Sequence, residues 1–344
     1  MASYSPNRHS HSVTLWLLFM VLLVAGMIIL GGATRLTNAG LSITEWRPVS
    51  GALPPLSAEA WETEFDKYKL IPEFLAENPD MDMKGFKFIY FMEWSHRQLG
   101  RLIGLAYFIP MLIFMMSGRI AKGRRGRFIA ILLLIGVQGA IGWWMVASGL
   151  VNDRVDVSQY RLATHLGVAF VILGLLYWTW RDQAREWRDS DPSAFFQKRT
   201  AVLALLVFIQ IVAGAFVAGT HAGYAYNTWP LMDGGLVPGG YFAMSPAWVN
   251  MFENTASIQF NHRILAYIVL AVAIWVWASV RKRAEKPLLR ATNWLMASII
   301  FQVLLGIVAL LKVAELPYAL GHQAGAIVVF IFALWAMRAA RYRF

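Results

Sequence analysis

Residues 93–104 read EWSHRQLGRLIG, and the apolar stretch LAYFIPMLIFMM follows directly at residues 105–116. The apolar stretch is typical of a membrane-spanning helix, yet it is preceded by a carboxylate, a histidine and two arginines. Each of these side chains is costly to place in lipid, so each needs a partner or a function there. The stretch therefore predicts a transmembrane helix whose first turns carry a polar site.

The composition of the whole chain is that of a polytopic membrane protein. Of its 344 residues, 58% are hydrophobic and only 15% are charged, whereas soluble domains carry about a quarter charged residues. Eight apolar segments are long enough to cross a membrane. Lipid offers the backbone no hydrogen-bond partner, so each segment is predicted to be a helix and the fold class all-α. The predicted spans are residues 13–33, 90–117, 128–149, 161–180, 200–219, 257–280, 291–312 and 317–337.

Lys and Arg are distributed unevenly between the connections. The short connections 118–127, 181–199 and 281–290 hold five Lys or Arg each, whereas the long loop 220–256 holds none and loop 34–87 holds six against nine acidic residues. Basic connections stay in the cytoplasm, which predicts cytoplasmic termini and two external loops. The net charge of +11 is then mainly a topology signal, which argues against nucleic-acid binding. The first span is too long for a signal-peptide core and no long transit peptide precedes it, so a bacterial inner membrane is predicted.

Short matches recur between the two halves of the chain. They pair GATRLTNAGLSITEWRP (32–48) with GAFVAGTHAGYAYNTWP (214–230), SHRQLGRLIGLAYFI (95–109) with NHRILAYIVLAVAI (261–274), and THLGVAF (164–170) with GHQAGAI (321–327). Their common order predicts two tandem four-helix halves, residues 1–199 and 200–344. Because four is an even number, both halves keep the same orientation and are related by a pseudo-twofold axis along the membrane normal.

Four histidines occupy corresponding places in these halves. Those near the outer ends of the even-numbered spans are His96, His165, His262 and His322, and those in predicted tail or loop segments are His9, His11 and His221. Paired histidines across a helix bundle suit axial ligation of haem iron. A proton relay and a metal cluster are the alternatives, although a cluster favours carboxylates or closely spaced histidines. The chain has no Cys, which excludes thiolate ligands, iron–sulfur clusters and covalent haem attachment.

The residues around the first histidine of each half differ at one position. Arg97 and Arg263 directly follow these histidines, and guanidinium groups suit haem propionates; snorkelling to lipid headgroups is the alternative. Glu93 lies one helical turn before His96, whereas the matching residue of the second half is Gln259. The helix dipole would explain an acid here, but not its place above a haem. The unmatched acid predicts one haem site for electrons and one for chemistry, with Glu93 as the catalytic or proton-handling group.

These features together resemble the heme A synthase family. The resemblance extends over essentially the whole chain and rests on the eight spans, the four histidines, the ExxHR motif at residues 93–97 and the segment LTNAGLSITEW at residues 36–46. It is greatest for the alphaproteobacterial and mitochondrial group. The resemblance implies that a methyl group of heme O is oxidised, through successive hydroxylations, to the formyl group of heme A, which serves cytochrome oxidase.

The resemblance also implies roles for individual residues. It implies that His96 and His165 bind the substrate heme, that His262 and His322 are the axial ligands of a low-spin haem b, and that Glu93 is the essential acid. Some bacterial members carry a Cys pair in the first external loop, and a thiol-based step cannot apply to this chain, which has no Cys.

The resemblance implies several partners, and two alternative functions stay open. The implied partners are a membrane heme O synthase that supplies the substrate, an unidentified electron donor and the cytochrome oxidase assembly machinery, all within a lipid bilayer; a homo-oligomer is compatible with the sequence. The alternative function is a quinol-linked di-haem b-type electron-transfer protein without substrate chemistry. A transporter or assembly factor that only carries heme is a further alternative.

Overall fold

The computed structural model describes residues 10–151, 154–184, 194–283 and 286–341, in which the regular structure is helical apart from one isolated bridge. Within these ranges, eight helices are long and apolar enough to span a membrane, which confirms the predicted fold class. They are α1 (His11–Leu36), α4 (Met83–Met116), α5 (Arg125–Val146), α6 (Gln159–Ala184), α7 (Ala194–Gly219), α9 (Thr255–Arg283), α10 (Lys286–Leu311) and α11 (Leu316–Arg341). The shorter helices are α2 (Ala58–Lys69), α3 (Pro72–Glu77) and α8 (Asn250–Glu253).

Several predicted boundaries differ from the structure, most clearly the starts of α4, α7 and α10, which lie seven, six and five residues before the predicted ones. Helix α4 begins at Met83, seven residues before the predicted span at 90, because the Asp82 side chain caps the first turn by accepting from Gly85 N at 2.7 Å. Helix α5 ends at Val146 rather than 149. There the Ser148 hydroxyl bonds back to the helix and accepts from the backbone N–H of Ser158, which turns the chain towards α6.

The long helices of each half pack mainly on one another. Helix α1 contacts α4 and α6, and α5 contacts the same two helices; in the second half α7 contacts α9 and α11, and α10 contacts the same two. Contacts of α6 with α7 and of α1 with α11 join these two groups. Their shared interior is apolar, with Leu17, Phe128, Phe170 and Leu173 almost completely buried. The spans predicted from hydropathy therefore form one continuous bundle.

The loop between α1 and α4 has a core of its own. Helices α2 and α3 lie in this loop and pack on the part of α4 that precedes the predicted span. Trp61, Phe65, Tyr68 and Phe86 are buried together there, with the Phe65 and Phe86 ring centroids 4.8 Å apart. Burial of this aromatic cluster explains why α4 is extended, and it fixes an ordered cap over the outer end of the first half.

Candidate functional site

The four span histidines lie in the first turns of their predicted spans. His96 is on α4, His165 on α6, His262 on α9 and His322 on α11, and all four side chains are half-buried. The helices that carry His96 and His165 both contact α1 and α5, and those that carry His262 and His322 both contact α7 and α10. The structure thus places two of the four histidines in each half.

Each histidine ring lies against a glycine of a neighbouring helix. The pairs are His96 with Gly31, His165 with Gly142, His262 with Gly214 and His322 with Gly306. A Cβ at these glycines would lie 2.9, 2.9, 3.3 and 2.8 Å from the ring Cε1, in the same order. Three of these distances are too short for real contacts, so a side chain at those glycines would displace the ring. The glycines therefore create flat seats that position the four rings.

Three of the four seats also carry a glutamine one turn before the glycine. The amide Nε2 donates to the histidine backbone carbonyl, over 2.9 Å from Gln138 to His165, 3.1 Å from Gln210 to His262 and 2.8 Å from Gln302 to His322. In the second half the same amide nitrogens lie 3.2 Å from the ring Nδ1, and that of Gln210 lies equally far from the ring Nε2 of His262. The fourth seat, on α1, has Met27 instead. The sequence analysis missed this Q-x-x-x-G pattern, although it is legible at residues 138–142, 210–214 and 302–306.

Buried polar atoms at these seats fit histidines bound to a metal. A histidine that ligates through Nε2 keeps a proton on Nδ1 and needs an acceptor for it. Among the described residues, the amide oxygens of Gln138, Gln210 and Gln302 are buried without a partner, and a rotation of the amide would offer such an acceptor. The described part of the chain groups no three His, Asp or Glu side chains as in a metal cluster. The donor set therefore fits axial ligation of haem iron better than a multinuclear site.

Glu93 is buried, and both of its carboxylate oxygens are hydrogen-bonded. Oε2 accepts from Ser42 Oγ and from Ile43 N, both at 2.8 Å. Oε1 accepts from Arg97 Nη2 at 2.6 Å. The same guanidinium donates to the carbonyls of Ile43 and Glu45 at 2.8 and 3.0 Å. The ion pair thus ties the external loop to α4 one turn above the first histidine.

The second half holds its loop with the opposite hydrogen-bonding polarity. Arg263 donates to the carbonyls of Tyr226 and Thr228 at 2.6 and 2.9 Å, and to Gln259 Oε1 at 2.8 Å. The Gln259 amide in turn donates to the Ala222 carbonyl at 2.7 Å. In the first half a carboxylate accepts from a backbone N–H, whereas in the second half a side-chain amide donates to a backbone carbonyl. The difference between Glu93 and Gln259 is therefore matched to the loop that each one holds.

Comparison with known proteins agrees with this geometry. The sequence profile of a family described as Cytochrome oxidase assembly protein matches residues 14–334. The chain is 49% identical to a heme A synthase of Maricaulis maris, over 98% of this chain and 99% of that protein. It is 47% identical to a heme A synthase of Parvibaculum lavamentivorans, over 96% and 94%, and 45% identical to one of Sinorhizobium medicae, over 95% and 89%.

The chain belongs to the heme A synthase family. This confirms the resemblance drawn from the ExxHR motif and the four histidines. In this member of the family, the motif's acid and arginine form the ion pair that holds the first external loop.

The two loop segments that follow α1 and α7 correspond in backbone conformation. Asn38 and His221 both adopt left-handed conformations, with φ of 48° and 54°, and each directly precedes an Ala-Gly pair. The histidine seats pair Gly31 with Gly214, whereas the sequence comparison aligned Gly32 with Gly214. The two segments therefore correspond in the structure with a shift of one residue from the alignment of the shared Gly-Ala pairs. The glycine seats and the two left-handed residues define this structural correspondence.

His221 lies in a loop, as predicted, but it is also part of an ionic network. Its Nε2 lies 2.5 Å from Asp156 Oδ2 and 2.8 Å from Arg35 Nη2, and Arg35 Nη1 lies 2.5 Å from Asp156 Oδ1. Burial raises the pKa of Asp156, but the hydrogen bond with His221 and the charge of Arg35 outweigh burial and hold the pKa below its ordinary value. The network joins the outer end of α1 to loops of both halves. Of the other histidines outside the pairs, His11 begins α1 and His9 lies outside the described residues.

Proposed function

We propose that this chain oxidises a methyl group of heme O to the formyl group of heme A. The observation that carries the proposal is the asymmetry between two otherwise similar histidine pairs. The pair His96 and His165 lies beneath an ordered loop cap with a buried acid, Glu93, one turn away. The pair His262 and His322 has a neutral amide in the acid's place, and a glutamine holds each of its rings.

The proposal assigns the two pairs different haems. His96 and His165 would hold the substrate heme O, and His262 and His322 would be the axial ligands of a resident haem b. The glutamine beside each ring of the second pair supports this, because such outer contacts fix the orientation of ligating histidines. A haem b with two histidine ligands supplies one-electron exchange when it is bound. The second half, residues 200–344, would thus serve electron transfer and the first half, residues 1–199, the chemistry.

Arg97 and Arg263 would neutralise propionate groups at the two sites. Each guanidinium has five N–H donors. The bonds of each to loop carbonyls and to Glu93 or Gln259 leave at least one N–H without a partner among the described residues. Among the described residues, the buried Arg263 Nε has no hydrogen-bond partner. Each arginine would thereby tie its external loop to a bound haem.

Glu93 would handle protons during the oxidation. Each hydroxylation of the methyl group moves protons as well as electrons, so a group that exchanges protons must lie near the reacting edge of the substrate. The Glu93 carboxylate is held in one orientation by Arg97 and the Ile43 backbone N–H. Gln259 cannot accept a proton in the corresponding place. This difference supports our placing of the chemistry in the first half.

The surroundings of the chain follow from its topology. We place it in a bacterial inner membrane with both termini in the cytoplasm, because the basic connections lie at the helix ends opposite to the four histidines. Both haem sites would then lie near the periplasmic side. Heme O would arrive through the bilayer from a membrane heme O synthase, and heme A would pass to the cytochrome oxidase assembly machinery. The proposed oxidation also requires an electron donor as a partner of the chain.

The proposal is tested by pigment extraction from protein produced in cells that supply heme O. We expect heme A from the unaltered chain and unchanged heme O from Glu93→Gln. Ser42→Ala is the matched control, because it removes one contact of the carboxylate and keeps the acid; it should still yield heme A. Unchanged heme O from the unaltered chain would contradict the proposal and favour a di-haem electron-transfer protein.

A further inference from the structure

One of the four histidine seats differs from the rest. Gln138, Gln210 and Gln302 each donate to the backbone of a histidine, and the corresponding position at the fourth seat is Met27 on α1. The Met27 thioether instead packs towards Gly100 on α4, where its Cε would lie 3.5 Å from a Cβ. A thioether donates no hydrogen bond and accepts only weakly. The seat of His96 therefore keeps its glycine but lacks a polar clamp.

The number of polar contacts made by a glutamine differs between the four histidines. In the second half, a glutamine contacts both the backbone carbonyl and the ring Nδ1 of His262 and His322. At His165, the glutamine reaches the carbonyl, and Nδ1 has no partner among the described residues. At His96, Nδ1 likewise lacks a partner in the described ranges, and Met27 stands at the position of the glutamine. His96 therefore lacks both polar contacts, whereas His165 keeps the one at its backbone carbonyl.

Weak restraint has a consequence for a ligand of iron. An outer contact that orients a ligating histidine typically changes metal binding by about 10- to 100-fold when it is lost. We propose that Met27 makes His96 the exchangeable axial ligand, so that a small molecule can take its place at the iron of the first half. The ligands of the second half stay bound. This inference rests on the proposed function, since it assumes haem iron between both histidine pairs.

The inference is consistent with what the two sites are proposed to do. Two fixed ligands suit a haem that transfers electrons. If a ligand were exchangeable, it would move at each change of redox state. A site for oxidation of a bound substrate needs room at or near the iron that two fixed histidines would close. Met27 is thus a positioning residue that acts through His96.

Carbon monoxide binding to the dithionite-reduced, haem-loaded full chain tests the inference. Haem content is measured first by pyridine haemochrome, and carbon monoxide binding is then followed by absorbance. In the unaltered chain we expect binding at the haem of the first half alone. Met27→Gln should weaken that binding by about 10- to 100-fold, because it supplies the missing clamp. Met27→Leu is the matched control; it fills the same space without a hydrogen-bond donor and should leave the affinity unchanged.

The reciprocal variant keeps the test decisive if Met27→Gln fails to load haem. Gln210→Met removes the clamp from His262 and should create a second haem that binds carbon monoxide. Equal affinities in Met27→Gln and Met27→Leu, or an unchanged second half in Gln210→Met, would overturn the inference. Carbon monoxide binding is measured without turnover, so its result does not depend on whether the chain forms heme A. A chain that shows the expected binding pattern but forms no heme A would refute the proposed function and leave the ligand assignment standing.

Discussion

Replacement of Glu93 by Gln should release the external loop as well as remove an acid. The Glu93 Oε2 atom accepts from Ser42 Oγ and Ile43 N, both at 2.8 Å. A Gln side chain can keep its oxygen towards Arg97, but its NH₂ group then faces the Ile43 N–H. The Ser42 hydroxyl can rotate and accept from this NH₂ group, but the Ile43 N–H loses its charged acceptor, a bond worth about 1.5 to 3 kcal/mol. The segment should therefore lose about 1.5 to 3 kcal/mol of local stability.

Hydrogen exchange of the purified protein measures this loss. At about 1.4 kcal/mol per tenfold change, the Ile43 amide should exchange roughly ten to a hundred times faster in Glu93→Gln. Gln259→Glu is the complementary control, because its carboxylate would face the Ala222 carbonyl; it should loosen the second loop and leave Ile43 protected. Unchanged exchange at Ile43 in Glu93→Gln would refute the view that Glu93 anchors the loop.

Three further predictions concern the seats and the external groups. Gly306→Ala should disturb the low-spin haem spectrum more than Gly214→Ala, because the added Cβ would lie 2.8 Å from its histidine in the first case and 3.3 Å in the second; equal spectra would contradict the seat model. Burial and the charge of a neighbouring glutamate raise the pKa of Glu73 from 4.5 to about 8, so its carboxyl costs stability as the pH rises from about 5 to about 8. Glu73→Gln should thus raise the midpoint of thermal unfolding at pH 8 by on the order of 5 °C and leave it unchanged near pH 4.5. The pKa of Asp156 lies below its ordinary value of 3.8, so Asp156→Asn should lower the midpoint at neutral pH and have no effect once acid has protonated the carboxyl, as a pH series of melting curves would show.

The apolar spans and the histidines could be predicted from the sequence because both signals are local. A run of apolar residues of membrane-spanning length identifies a helix without reference to the rest of the chain. His96 and His262 each precede an Arg at the start of an apolar run, and this shared dipeptide shows the correspondence directly. The contrast between Glu93 and Gln259 then follows from the same short comparison.

The remaining features depend on contacts between segments that are distant in sequence. Asp156 and His221 are 65 residues apart, and no local pattern shows that they meet. The early start of α4 depends on the aromatic core of the loop, which the hydropathy of α4 does not reflect. The partnership of Glu93 with the Ile43 backbone depends on the fold of the loop as well. Only the glutamine clamps left a local signal, the spacing between Gln and Gly, and that spacing gains meaning once the facing histidines are known.

The two halves are proposed to hold different haems for different purposes, and pigment analysis of histidine variants distinguishes the two haems. Protein is produced with a supply of heme O, and the retained pigments are extracted and quantified. We predict that His262→Ala and His322→Ala lose haem b and its low-spin spectrum while heme O stays bound. His96→Ala and His165→Ala should retain haem b and lose heme O and heme A. Retention of the low-spin haem b spectrum in both variants of the second half would contradict the account.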